Sequence, residues 1–108
     1  MNEQVTKLDF SRFDGPLFAG RKRGESSRIK ANLDLLDMSN EKIIISIPRD
    51  FLTITSSFFL GMFDKSIQKC GTKEKFLEKY DFGQLPQGLR DQLPMWIDRA
   101  LTPNKFDL

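Results

Sequence analysis

The sequence predicts an α/β fold: a small central mixed sheet packed by three to four helices. Three observations carry this reading. The run Ile43–Ile47 is β-branched except for Ser46 and stops at Pro48, the pattern of a central strand buried on both faces. From Phe58 to Cys70, Phe59, Phe63, Ile67 and Cys70 fall on one helical face, and Gly71 closes the segment. Strand-like and helix-like patterns also alternate along the chain, the order that builds layered α/β structures.

The elements follow in order. Val5 to Phe13, "VTKLDFSRF", reads as a weakly marked strand. Asp14-Gly15-Pro16 is a turn signal, and "LFAG" (Leu17 to Gly20) reads as a second strand, paired with the first as a hairpin. "GRKRGESSR" reads as a basic loop: Gly20 and Gly24 bracket Arg21, Lys22 and Arg23. As a plain loop it is solvated. As a site it would meet an acidic or phosphorylated partner, with backbone amides adding to the charge. It lacks the spacing of a nucleotide-binding P-loop. Glu25 to Met38 reads as a helix with an apolar stripe of Ile29, Leu33 and Leu36, widened by Leu35 and Met38. "KFLEKYDF", Lys75 to Phe82, alternates and reads as a second core strand. Leu89, Leu93, Trp96, Ile97 and Leu101 form a last helical stripe, with Pro94 either kinking it or starting a new helix.

Composition bounds the chemistry. The chain has 108 residues, enough for one core; residues 1–102 read as one domain and 103–108 as a tail. Ten phenylalanines favour a packed interior. A net charge of +2 is too small to argue for nucleic acid. Phe18 beside Arg21, Lys22 and Arg23 is the one local pattern that resembles a single-strand binder. Histidine is absent, which removes the commonest general base and metal ligand. The single cysteine, Cys70, excludes an internal disulfide and reads as a small core residue. No segment reads as a signal peptide or a membrane span, so the expected location is the cytoplasm. Asp9 with Asp14, and Arg49 beside Asp50, are the nearest approach to paired catalytic groups. No motif joins them, and Arg49-Asp50 reads as a surface turn pair. The expectation is a non-catalytic protein without cofactor or metal, which works by binding. An edge strand of the N-terminal hairpin could pair with a second copy.

Thr55-Ser56-Ser57 precedes the Phe58–Cys70 helix. One hydroxyl there suffices as a helix cap, worth about 1 kcal/mol. Three consecutive hydroxyls exceed that need. A helix N-terminus also stabilises a phosphoryl group, so Ser56 and Ser57 are candidate phosphorylation sites.

"IIISIPRDFLTITSSFFLGMFDKSIQKCG", Ile43 to Gly71, resembles the middle of STAS domains, the anti-sigma-factor-antagonist class, and most of all the STAS-like DUF4325 family of bacterial proteins. Members carry a Ser-Ser-Phe turn and an arginine- and glycine-containing segment before the first helix, as in "GRKRGESSRIKANL". The resemblance spans Arg21 to Leu101. It implies a central sheet with packed helices, no catalysis, and docking to an anti-sigma-like kinase with a histidine-kinase-type ATPase domain. It places the phosphoacceptor at Ser56. Thr55 stands where the phosphorylated members have aspartate, and Phe58 where they have glycine. The implied partner surface comprises Thr55, Ser56, Ser57 and Phe58, with Arg21, Lys22, Arg23, Arg49 and Asp50. The alternative reading is a small inhibitor, immunity or phage anti-defence protein that binds a toxin or nuclease.

Overall fold

Ile43 and Ile45 are fully buried and Ile44 half-buried, so the β-branched run sits mid-sheet with one face sealed and the other partly covered. The structure, a computed structural model, describes residues 4–13, 17–48 and 53–102. Its strands are β1 (Val5–Asp9), β2 (Leu17–Phe18), β3 (Lys42–Ser46), β4 (Thr53–Ile54) and β5 (Tyr80–Asp81). Its helices are α1 (Arg21–Ala31), α2 (Leu33–Asp37), α3 (Ser56–Cys70), α4 (Lys73–Lys79), α5 (Gln87–Arg90) and α6 (Leu93–Leu101).

The α/β class holds, and β3 is the middle strand of the order β1-β3-β5. Every strand pairing among the described residues is parallel, where a mixed sheet was expected. β1 lies along β3 with Val5 opposite Lys42, and β3 lies along β5 with Ile43 opposite Tyr80. The expected hairpin is not formed. β2 pairs with β4, Phe18 opposite Ile54, in a separate two-stranded sheet. The chain leaves β1 through a single 3-10 turn, Phe10–Arg12, capped by the Asp9 side chain. Parallel neighbours need long crossovers, and α1–α2 and α3–α4 supply them. The Asp14-Gly15-Pro16 turn signal lies outside the described residues.

Three further expectations are corrected. Arg21, Lys22 and Arg23 are not loop residues; they are the first turn of α1. That helix stops at Asn32, whose φ of 58° is left-handed, and α2 restarts beyond it. Of the expected apolar stripe only Leu33 is fully buried, while Ile29 is 79% exposed and Met38 74%. Lys75 to Phe82 is mostly helix α4, with only Tyr80 and Asp81 in a strand. Phe76 and Tyr80 are four apart, so they satisfy both a strand alternation and a helical period. Thr72 decides between them, since its Oγ1 accepts from Lys75 N at 3.1 Å and caps α4. At Pro94 a new helix starts, with the proline in the first turn of α6.

The buried face of α1 is Gly24, Ser27, Arg28 and Ala31, which holds little apolar surface but admits close approach. A Cβ on Gly24 would lie 2.2 Å from Phe58 O, and one on Gly61 would lie 2.2 Å from Arg21 O. α1 and α3 therefore touch backbone to backbone through two glycines. Beneath them the described phenylalanines are all buried. Phe10, Phe18 and Phe58 pack edge to face or tilted, and Phe59, Phe63, Phe76, Phe82 and Trp96 continue the cluster.

Candidate functional site

β2 and β4 run parallel side by side, so both carboxyl ends point the same way and both continue into helices. Thr55 joins the two starts. Its N–H donates to Phe18 O at 2.9 Å. Its Oγ1 accepts from Phe58 N at 3.2 Å, capping α3, and receives a longer bond from Gly20 N at 3.4 Å. Gly20 has a φ of 91°, a conformation glycine adopts without strain, and it turns the chain from β2 into α1. The basic segment and the serine pair, far apart in sequence, thus form one surface.

The charge on this surface opposes what helix stability favours. A helix N-terminus carries partial positive charge, and cations placed there are unfavourable by about 0.3–1 kcal/mol each. The first turn of α1 nevertheless holds Arg21, Lys22 and Arg23, all exposed, and neither α1 nor α3 has an acidic residue in its first turn. Arg21 is partly neutralised by Asp64 at 3.7 Å. Arg23 Nη1 donates to Leu17 O at 3.1 Å, which fixes the guanidinium near the end of β2.

The remaining candidates divide. Ser57 is exposed and Ser56 half-buried; Ser57 Oγ lies 3.3 Å from Thr55 Oγ1. Phe58 is 1% exposed and belongs to the core, so it offers a partner no surface. Phe18 is fully buried as well, which removes the ring from the ring-and-cation pattern of a single-strand binder. Arg49, Asp50 and Asp14 lie outside the described residues. Asp9 serves as a turn cap: its carboxylate accepts from Ser11 N at 2.9 Å, and that bond holds its pKa below the ordinary 3.8. Burial raises the pKa of the half-buried Cys70 thiol, the opposite of activation.

No family model, curated protein or solved structure matches the chain. Among the described residues no group of three His, Cys, Asp or Glu side chains is placed to hold a metal ion, and no helix is long and apolar enough to cross a membrane.

A second polar cluster escaped the sequence reading. The Arg28 side chain is 8% exposed and donates to Asp34 Oδ1 at 2.7 Å, Asp37 Oδ2 at 2.9 Å, Ser66 Oγ at 2.7 Å and Met62 O at 2.9 Å. Ser66 and Tyr80 each donate to Asp37 at 2.5 Å. Burial, and then the bond to Asp37, push the Tyr80 phenol far above its ordinary 10.0. The cluster ties α1, α2, α3 and β5 together. Its Ser66 is fully buried and among the described residues no buried side-chain polar atom lacks a partner, so it offers no reactive group. The available signal was Ser66, a lone hydroxyl on the apolar face of α3.

Proposed function

We propose that the chain is a non-catalytic, STAS-like regulatory module that docks a protein partner through the paired starts of α1 and α3. The observation that carries this reading is the cation triad Arg21-Lys22-Arg23 on a helix N-terminus, where it lowers stability. Local choices that oppose stability are expected where a surface serves binding. The partner surface is accordingly acidic, and the partner class suggested by the STAS resemblance is a histidine-kinase-like ATPase.

Ser57 and Ser56 are the gate. Ser57, Gly61 and Asp64 share one face of α3, and Arg21 lies on that face, its backbone against Gly61 and its guanidinium at Asp64. A phosphoryl group on Ser57 adds about −1.5 to −2 charges within a helical turn of that contact. It neutralises the basic surface and weakens docking to an acidic partner. Exposure favours Ser57 over Ser56 as acceptor.

The test begins with intact-mass measurement of the chain captured from its native cells together with its partner. Charge reversal at Lys22 and Arg23 is then expected to weaken the reconstituted complex by tenfold or more, in keeping with about 1.4 kcal/mol per decade. Ser57→Asp is expected to weaken it and Ser57→Ala to leave it intact. Equal affinity for all these variants rejects the docking surface. A nuclease or toxin as the captured partner, bound without regard to ATP, replaces the regulatory reading with the inhibitor reading.

A further inference from the structure

The spatial order β1-β3-β5 follows the order of the chain. A crossover between parallel strands is almost always right-handed. Two such crossovers that step the same way across a sheet, β1 to β3 and β3 to β5, lay their helices on the same face. α6 joins that layer, with the Phe59 and Trp96 rings 5.1 Å apart. Leu8, Ile43, Ile45 and Tyr80 point into it and are at most 2% exposed. Side chains alternate along a strand, so Val5, Lys7, Ile44 and Asp81 lie on the opposite face. There Val5 is 54% exposed, Lys7 is exposed, and Ile44 and Asp81 are half-buried, although Ile44 sits on the central strand. Parallel sheets are ordinarily covered on both faces. This sheet is open on one.

The charges on the open face say what fits it. The register sets Lys7, Ile44 and Asp81 side by side in one row across the three strands. The row reads cation, apolar, carboxylate. Asp81 is held in place, because its Oδ1 accepts from Gly83 N at 2.8 Å. A two-fold axis running along β3 over Ile44 turns that row onto itself. Ile44 then meets the same residue of the copy, and each Lys7 meets the copy's Asp81. Stacked sheets lie about 10 Å apart, with strands within about 30° of each other. The four-carbon stem of lysine bridges such a gap. Ile44 supplies the apolar contact, and the two charge pairs fix the orientation. Lys42 opposes the arrangement, since it shares β3 and the open face with Ile44 and meets its own copy on the axis. Strands of five, five and two residues also make a face far smaller than the about 800 Å² per partner of a standard interface. The dimer is accordingly weak.

We propose that the open face of the β1-β3-β5 sheet docks a second copy of the chain, sheet on sheet, about a two-fold axis at Ile44. The experiment is sedimentation equilibrium of the full chain up to about millimolar concentration, with amide NMR shifts followed over the same dilution series. A rise toward twice 12.5 kDa is expected, with concentration-dependent shifts centred on Lys7, Ile44 and Asp81. Lys7→Glu and Asp81→Lys are each expected to weaken self-association by roughly tenfold or more, because symmetry repeats every substitution at two contacts. An equimolar mixture of the two variants is expected to recover the dimer, since each like-charged face then meets its opposite. A lost fold cannot imitate that recovery. Asp81→Asn, whose amide oxygen keeps the Gly83 bond, replaces Asp81→Lys should the latter not fold, and is likewise expected to weaken the dimer. Lys42→Gln is expected to tighten it. A wild-type chain that stays monomeric throughout overturns the proposal and leaves the face to a different protein or to another segment of this chain. A dimer indifferent to the substitutions at Lys7 and Asp81, or a mixture of folded variants that stays dissociated, overturns it as well. No residue of this face belongs to the starts of α1 or α3, so that failure leaves the docking reading intact.

Discussion

Thr55 holds one side-chain oxygen against the start of two helices. Thr55→Ala is expected to lower stability by about 1 kcal/mol, and Thr55→Ser to recover most of it, both measured by urea unfolding. This role was legible in the sequence, because a hydroxyl before an apolar helical run has one common local use. Arg28 was not legible. A charged residue off the apolar stripe reads as solvent-facing, and only the fold brings Asp37, Ser66 and Met62 around it. Arg28→Met is expected to cost about 3–5 kcal/mol, because it strands Asp37 as a buried carboxylate without its cation. A loss under 1 kcal/mol in the same urea experiment would show that Asp37 does not depend on Arg28. Asp34 is a different case. Its bond from Arg28 lowers its pKa, but the carboxylate is 79% exposed, so Asp34→Asn is expected to change stability little.

The contact between α1 and α3 turns a familiar preference upside down. Alanine is favoured over glycine inside a helix by about 1 kcal/mol. Gly24→Ala and Gly61→Ala are nonetheless expected to destabilise, since each new methyl meets a carbonyl oxygen of the facing helix at 2.2 Å. Urea midpoints at or above wild type for either variant would mean that the helices separate without loss. This contact also explains the misread element. Hydrophobic periodicity sees Ile29, Leu35 and Met38 and cannot see that Gly24 and Ser27 form the packed face. α3 was legible because its core-facing stripe is apolar: Phe59, Phe63 and Ile67 stand on the face that the spacing gives. α4 was hidden by the coincidence of two periods at Phe76 and Tyr80, and Thr72, its cap, was the residue to weigh.

At the scale of the molecule, one tyrosine and one tryptophan report separately on the interior. Tyr80 has its phenol pKa raised on folding. The stabilisation from that shift is complete below the unfolded value of 10.0 and is lost as pH climbs above it. Phenolate absorbance is therefore expected to appear only together with the loss of Trp96 fluorescence, in one cooperative step above pH 10. A phenol that ionises near 10 with the tryptophan signal unchanged would show that Tyr80 is open to solvent. On the acid side the lowered values of Asp9 and Asp34 give stability that is present above 3.8 and fades as pH falls below it. Both carboxylates are near the surface, so that limb is shallow. The α/β class was legible at this scale because it needs only alternating patterns. The pairing was not: whether Leu17–Phe18 returns to β1 or lies along β4 depends on contacts between residues that sit far apart in the sequence.

Those parallel pairings also set a timetable for synthesis. β1 cannot find its partner until residue 42 has been made, 37 residues after Val5, and β3 then waits another 37 for Tyr80. At about 5–20 residues per second each interval lasts roughly 2–7 s. During the second interval Ile43, Ile44 and Ile45 have at most one neighbour strand, and a short β-branched run with an open edge is the kind of segment that seeds aggregation. On the ribosome, the strand that later anchors the interior is the one in greatest need of a chaperone.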